Sequence, residues 1–246
     1  MFGALVKNYL PEKIGTTADK IFHVSIMPCV AKKYEFVRPE MESENGRDVD
    51  AVLTTREAAK LFKMRGIDLA TIEEAEFDSL MGEHTGAARI FGTTGGVMEA
   101  ALRTVTHILT NGEMDQIDYE VARGYKGVKE ATLKVGDLEV KVAVVNGIGN
   151  VKAVMDDVRA GVSPYHFIEV MACPGGCLNG GGAPLLDVDL VEERMNKMYQ
   201  SDAENPKRRS HENVEVQQLY KEYLHEPCGH ISHHLLHTTY TDRSGK

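Results

Sequence analysis

Short apolar runs and helix-period stretches alternate along the chain, and their order predicts a mixed α/β fold. In residues 1–15, Phe2, Leu5, Val6, Tyr9 and Leu10 recur at helical spacing with no N-cap residue before them, which predicts a helix that starts in mid-face. Residues 20–27 read as a strand that stops at Pro28-Cys29, and the charged stretch 39–50 reads as a linker. A strand at 50–55 then leads into a helix at 56–65 whose Ala58, Ala59, Leu61 and Phe62 form an ordinary core face. After the acidic run 73–78, residues 87–94 end in a Gly95-Gly96 turn, and a strongly amphipathic helix follows at 97–110. Residues 131–145 read as a hairpin turning at Gly136-Asp137. The helical pattern Val151–Ala160 and the apolar run into Met171 then complete a parallel βαβ unit. A helix around 190–199, a polar linker at 201–210 and two short helices at 214–224 and 230–238 close the chain, with no internal repeat.

Composition narrows the function class. A chain of 246 residues with 42% hydrophobic content can bury a proper core. Its net charge of -9 and the absence of any Lys/Arg block argue against nucleic acid as a partner. No apolar run approaches the roughly 18 residues that span a bilayer, and the first residues lack a signal pattern, which predicts a cytoplasmic protein with no membrane partner. Four cysteines are too sparse for a disulfide scaffold and fit thiolate ligands in a reducing compartment.

The chemistry concentrates in residues 167–184, FIEVMACPGGCLNGGGAP. Cys173 and Cys177 follow a buried-strand pattern and stand four residues apart in a run containing Gly175, Gly176, Gly180, Gly181 and Gly182. Thiolates on such a loop suggest soft-metal ligands, with glycines that let main chain approach a bulky inorganic group. The alternative is a glycine-rich turn with two incidental cysteines. Cys29 stands at another strand end, where open α/β sheets place their sites. If 30–35 turn helically, Lys32 shares a face with Cys29, and its ammonium could stabilise an anionic centre; ordinary solvated charges are the alternative for Lys32 and Glu35 and the preferred reading for Lys33. Gly95-Gly96 before a helix could present backbone N–H groups to an anion, or serve only as a turn. The Gly147-x-Gly149 turn lacks the third glycine and the later acidic residue of a dinucleotide site. His230, His233, His234 and His237 share helix faces, but packing or surface roles suit them better than zinc.

Three segments carry a resemblance. Residues 26–35 (IMPCVAKKYE), 90–101 (IFGTTGGVMEAA) and 169–182 (EVMACPGGCLNGGG) resemble, in order, motifs of the iron-only ([FeFe]) hydrogenases, and the last helices are similar to that family's small-subunit region. The resemblance implies a two-lobed α/β H-cluster domain with parallel βαβ elements over 1–200 and a small-subunit-like helical tail over 201–246. It implies an H-cluster: a [4Fe–4S] cubane joined to a diiron unit with CO, cyanide and dithiolate ligands. Cys29, Cys173 and Cys177 would be its metal ligands, with Cys177 bridging to the diiron unit. Lys32 would hydrogen-bond a cyanide, Glu35 would orient Lys32, Met27 and Met171 would pack against the diiron unit, and Gly95 and Gly96 would help close the cavity. The implied activity is reversible reduction of protons to H2, linked to ferredoxin or NAD(P)-linked subunits. A non-catalytic relative of the cytosolic iron–sulfur assembly or prelamin-binding type is the alternative. The family's first cysteine signature is absent, and Met1-Phe2-Gly3-Ala4 resembles an internal family segment. The expectation is therefore a fragment or split subunit, completed by a missing N-terminal segment or complementary subunit and inactive alone. Cys228 does not match the missing ligand.

Overall fold

The computed structural model describes residues 1–243 apart from 77, 79–80, 114–115, 125–126 and 185–186. Part of the acidic run 73–78 and the end of the 201–246 tail therefore lie outside the described residues. In chain order the elements are α1 (Phe2–Asn8), α2 (Leu10–Ile14), β1 (Val24–Met27), α3 (Lys32–Glu35), β2 (Glu42–Ser43), β3 (Gly46–Arg47), β4 (Ala51–Thr54) and α4 (Thr55–Met64). Next come α5 (Gly86–Ile90), α6 (Gly96–Leu109), β5 (Val128–Val135), β6 (Leu138–Asn146), α7 (Val151–Ala160), β7 (Phe167–Met171), α8 (Val188–Ala203), α9 (Val214–Leu219) and α10 (His230–Leu236). They form two compact units, one of Met1–Glu76 with Glu215–Lys246 and one of Phe77–Val214.

In the first unit, β1 and β4 pair in parallel from Val24↔Ala51 to Met27↔Thr54. The single helix expected over 1–15 is two, because Pro11 lies in the first turn of α2 and has no N–H to continue the ladder of α1. The α4 start is a capping box: Glu57 N–H donates to Thr54 Oγ1 at 3.2 Å, and Thr54 N–H donates to the Glu57 carboxylate at 2.8 Å. The stretch 39–50, expected as linker, contains the small antiparallel pair β2–β3, turning at Glu44-Asn45. An Asn45-Gly46 step lies at its end, with Gly46 already in β3 at φ +87.

The second unit is built on the sheet β5-β6-β7. β5 and β6 are antiparallel, from Val128↔Val145 to Val135↔Leu138, and β6 and β7 are parallel, from Val142↔Phe167 to Asn146↔Met171, with α7 as the crossover. β6 is the central strand, which explains why Val142–Val145 is an unbroken apolar run. Met98 and Leu102 of α6 pack with Tyr119, Ala122, Val142 and Val144 in its core.

α6 also carries a buried charge network. Arg103, fully buried, uses every guanidinium donor position: Nε to Ile117 O at 2.7 Å, Nη1 to Asp202 Oδ1 at 2.7 Å and Arg208 O at 2.9 Å, and Nη2 to Glu99 Oε1 at 2.8 Å and Asp202 Oδ2 at 2.7 Å. Arg123 grips Glu99 through Nε at 2.9 Å and Nη2 at 2.6 Å. Asp202 explains why α8 runs past the expected 199 into the polar stretch: its carboxylate is needed inside.

Two outcomes follow for this unit. Arg103→Ala leaves Glu99 and Asp202 as buried charges short of a partner and should cost about 3–5 kcal/mol in chemical denaturation, whereas a loss under about 1 kcal/mol would contradict the network. Burial pushes the Asp202 carboxyl up, but hydrogen bonds from Arg103 and Arg208 outweigh it and leave it below its usual value of 3.8. A hydrogen bond from Arg208, joined by one from Arg123, holds the Asp118 carboxyl at about 2. Both folded values are depressed, so their contribution is complete above the unfolded value of 3.8 and should fade as pH falls from there toward about 2, as an acid titration of circular dichroism would record.

Candidate metal centre

The β6–β7 ladder continues past the end of β7. Gly147 N–H donates to Met171 O at 2.8 Å and Ile148 N–H to Ala172 O at 3.0 Å, so the backbone is held up to the residue before Cys173. Beyond it, Gly175 N–H donates to the buried Asn146 side chain at 2.8 Å. Two backbone bonds then latch the segment to the 92–96 loop: Thr94 N–H to Gly175 O at 3.0 Å and Leu178 N–H to Gly92 O at 2.9 Å. Leu178 packs on Val191 and Met195 of α8, closing the short turn Cys177–Asn179.

Two glycines are required by the close main-chain approaches here. Gly176 has φ +105, and a Cβ there would lie 2.6 Å from both Gly92 O and Thr94 N. Gly95 has φ +93, and a Cβ there would collide with the Ala122 carbonyl. Gly176 thus serves loop-to-loop approach, where the sequence had suggested main chain approaching an inorganic group, and Gly95 serves the turn before α6. Within the 92–96 loop, Thr93 Oγ1 lies 3.1 Å from the Tyr199 hydroxyl, which burial pushes up to about 12, and Arg123 stacks 4.4 Å over the Tyr199 ring. The α6 N-terminus already holds an anion, the carboxylate of Glu169: Gly95 N–H donates to Oε1 at 2.6 Å and Met98 N–H to Oε2 at 2.7 Å.

In the first unit, Cys29 follows β1 and Pro28 and is half-buried. Lys32 Nζ donates to both Glu35 oxygens, at 2.7 and 2.8 Å, and Met27, Lys32 and Glu35 line a cavity of 350 Å³ with His23, Phe36 and Met41. Lys33 is more than a solvated charge: it donates to Val52 O at 3.0 Å and pairs with Glu57 at 2.9 Å. Met171 is buried at the end of β7. His233 and His237 meet edge to face, with ring centroids 4.4 Å apart. Cys228 is exposed with φ +57. Sequence reasoning missed Glu169, Lys129 and Asn146. A lone carboxylate inside the apolar run FIEVM was the available signal for the first.

The donor set suits an iron–sulfur group. No disulfide joins the four cysteines, and Cys173 (half-buried) and Cys177 (exposed) stand on a backbone pinned on both sides. Thr94, fully buried at the latch, keeps a hydroxyl with no hydrogen-bond partner among the described residues. Among those residues no group of three or more His, Cys, Asp or Glu side chains is placed to hold a metal ion.

Residues 1–181 match the iron-only hydrogenase large subunit, C-terminal domain, and residues 188–243 match the iron hydrogenase small subunit. The chain belongs to the iron-only hydrogenase family. It is 47% identical over 245 residues to the NADP-reducing hydrogenase subunit HndD of Solidesulfovibrio fructosivorans, covering 99% of this chain and 42% of that protein. To the periplasmic [Fe] hydrogenase large subunit of Nitratidesulfovibrio vulgaris it is 55% identical over 201 residues, covering 81% and 48%. Mouse cytosolic iron-sulfur assembly component 3 is more distant, at 33% over 98% of this chain and 52% of that one. A variant of the [FeFe]-hydrogenase HydA1 from Chlamydomonas reinhardtii superposes with a TM-score of 0.80 at 38% identity, covering 97% of this chain and 68% of that one. The expected α/β hydrogenase fold is therefore the one observed. The chain spans about half the length of the curated relatives it matches. The family binds an H-cluster, and no described helix of this chain is long and apolar enough to cross a membrane.

The latch makes a differential prediction. Gly176→Ala adds a clash and a backbone strain of about 1–3 kcal/mol, so the variant should keep its circular dichroism but take up several-fold less iron on anaerobic reconstitution. Gly149→Ala, where a Cβ meets nothing within 4 Å, should match the wild type; equal iron in both variants would rule out the latch.

Proposed function

We propose that the chain carries the cluster-binding part of an [FeFe]-hydrogenase that interconverts protons, electrons and H2. The observation that carries this reading is the 173–178 segment, whose two thiols stand on a backbone held by hydrogen bonds and by glycine contacts too close for side chains. Such a loop offers soft donors without refolding around them, which suits it to gripping a preassembled inorganic group. Cys29, Cys173 and Cys177 would hold the H-cluster as its thiolate ligands, Cys177 serving the diiron unit as well as the cubane. When bound, the H-cluster supplies the redox chemistry of the reaction.

The chain's own residues bind and orient. The two bonds from Lys32 to Glu35 restrict where the ammonium points, and Lys32 is assigned as donor to a cyanide ligand with Glu35 orienting it. Met27 and Met171 supply polarisable thioether walls, and Gly95 and Gly96 the turn that closes the cavity. The proposed division is a cluster-binding domain over 1–200 and a small-subunit-like tail over 201–246. A further segment or complementary subunit supplies the rest of the enzyme. Ferredoxin or an NAD(P)-linked subunit is the electron partner, the name of the Solidesulfovibrio relative supporting the latter. The cytoplasm is the proposed location, although one relative is named as periplasmic. Identities of 47–55% to hydrogenases against 33% to the assembly component favour the hydrogenase over a non-catalytic relative.

Infrared spectroscopy of the full-length, matured protein provides the test. CO and cyanide bands should be present in the wild type and absent from Cys177→Ala, and a variant that keeps both sets of bands would overturn the assignment.

A further inference from the structure

The peptide unit between Thr94 and Gly95 is held by two buried ions of opposite sign. Its N–H donates to Glu169 Oε1 at 2.6 Å, and its C=O accepts from Lys129 Nζ at 3.4 Å. Lys129 also donates to Ala122 O at 2.6 Å and Gly124 O at 2.8 Å, while the second Glu169 oxygen takes the Met98 N–H. Glu169 and Lys129 are 6% and 8% exposed. The sheet register places Lys129 opposite Val144 and Val144 opposite Glu169, so both ions project from one face of the sheet in a single row.

An ordinary helix start would not need this arrangement. A Ser, Thr, Asp or Asn at the N-cap satisfies the first amides locally, but the α6 N-cap is Gly95, which has no side chain to offer. The cap comes instead from a carboxylate 74 residues further on, in the strand that leads to Cys173 four positions later. Burial drives Lys129 down to about 8 and pushes the Glu169 carboxyl up; each ion's charge opposes the other's neutralisation. Two buried charges are costly to keep, and a hydrophobic pair would pack the row as well. What the charges add is a fixed orientation for the one peptide that both reach, and that peptide adjoins the Thr94 N–H bound to Gly175.

We propose that Glu169, acting with Lys129, is the positioning residue of the cysteine loop. It ties the start of α6 to β7, so that the 92–96 loop and the 173–178 segment move as one body. The part played in cluster binding rests on the assignment of Cys173 and Cys177 as ligands; the coupling of the two loops does not.

Amide hydrogen exchange of the metal-free 246-residue chain tests the coupling. In Glu169→Gln, exchange should rise on the order of tenfold at Gly95 and Met98 and also at Thr94 and Leu178, whose own partners are untouched. Lys129→Met, which removes the opposite charge, should raise Thr94 and Leu178 in the same direction and stands in if the first variant does not fold. Faster exchange confined to Gly95 and Met98 would reduce Glu169 to a helix cap and overturn the proposal. After anaerobic reconstitution, the electron paramagnetic resonance spectrum of the reduced cluster should differ between Glu169→Gln and wild type. A wild type that takes up no cluster would count against the ligand assignment alone, and the exchange result would still decide the coupling.

Discussion

Two backbone bonds, from Thr94 to Gly175 and from Leu178 to Gly92, join two glycine-rich loops through their main chains. At about 1 kcal/mol each they cannot offset an ordering cost of about 1–2 kcal/mol per residue over the segment they hold. The surrounding structure therefore contributes the rest: the ladder extended by Gly147 and Ile148, the Asn146 side chain, and the burial of Leu178 against α8. The thiols are positioned by main chain, and the main chain is positioned by the sheet.

α6 carries that order in the other direction. It starts directly after the 92–96 loop, its first amides are bound by Glu169, and one turn later Glu99 and Arg103 enter the network that reaches Asp202 of α8 and the 117–123 stretch. A shift of the loop would have to move a helix whose charged face is buried and fully paired, which is expensive in a low-dielectric interior. Rigidity at the cysteine loop thus comes from ions that lie outside it.

Much of this was legible in the sequence because the signals were local. The βαβ unit followed from the apolar run Val142–Val145, the helical pattern Val151–Ala160 and the run FIEVM; the CPGGC spacing marked the loop, and the three family motifs named its kin. The hairpin at β2–β3 was not read because its strands are only two residues long and polar, and the extension of α8 to Ala203 was not read because the reason for it, the buried Asp202, is tertiary. The same holds for Lys33, which looks solvated until Val52 and Glu57 are seen beside it. Glu169 and Lys129 are 40 positions apart in sequence and meet only through the register of a three-stranded sheet, so no spacing rule could pair them. Nor could composition distinguish a glycine that admits a cluster from Gly176, which admits another loop.

The role of the cysteine loop depends on which sulfur atoms hold iron. Anomalous diffraction at the iron edge from crystals of the anaerobically reconstituted chain reads that directly. The predicted result is iron density bonded to Cys173 and Cys177 Sγ with Cys29 in the same set, and none at Cys228 or the C-terminal histidines. Iron at Cys228 or those histidines, with the CPGGC sulfurs bare, would contradict the account.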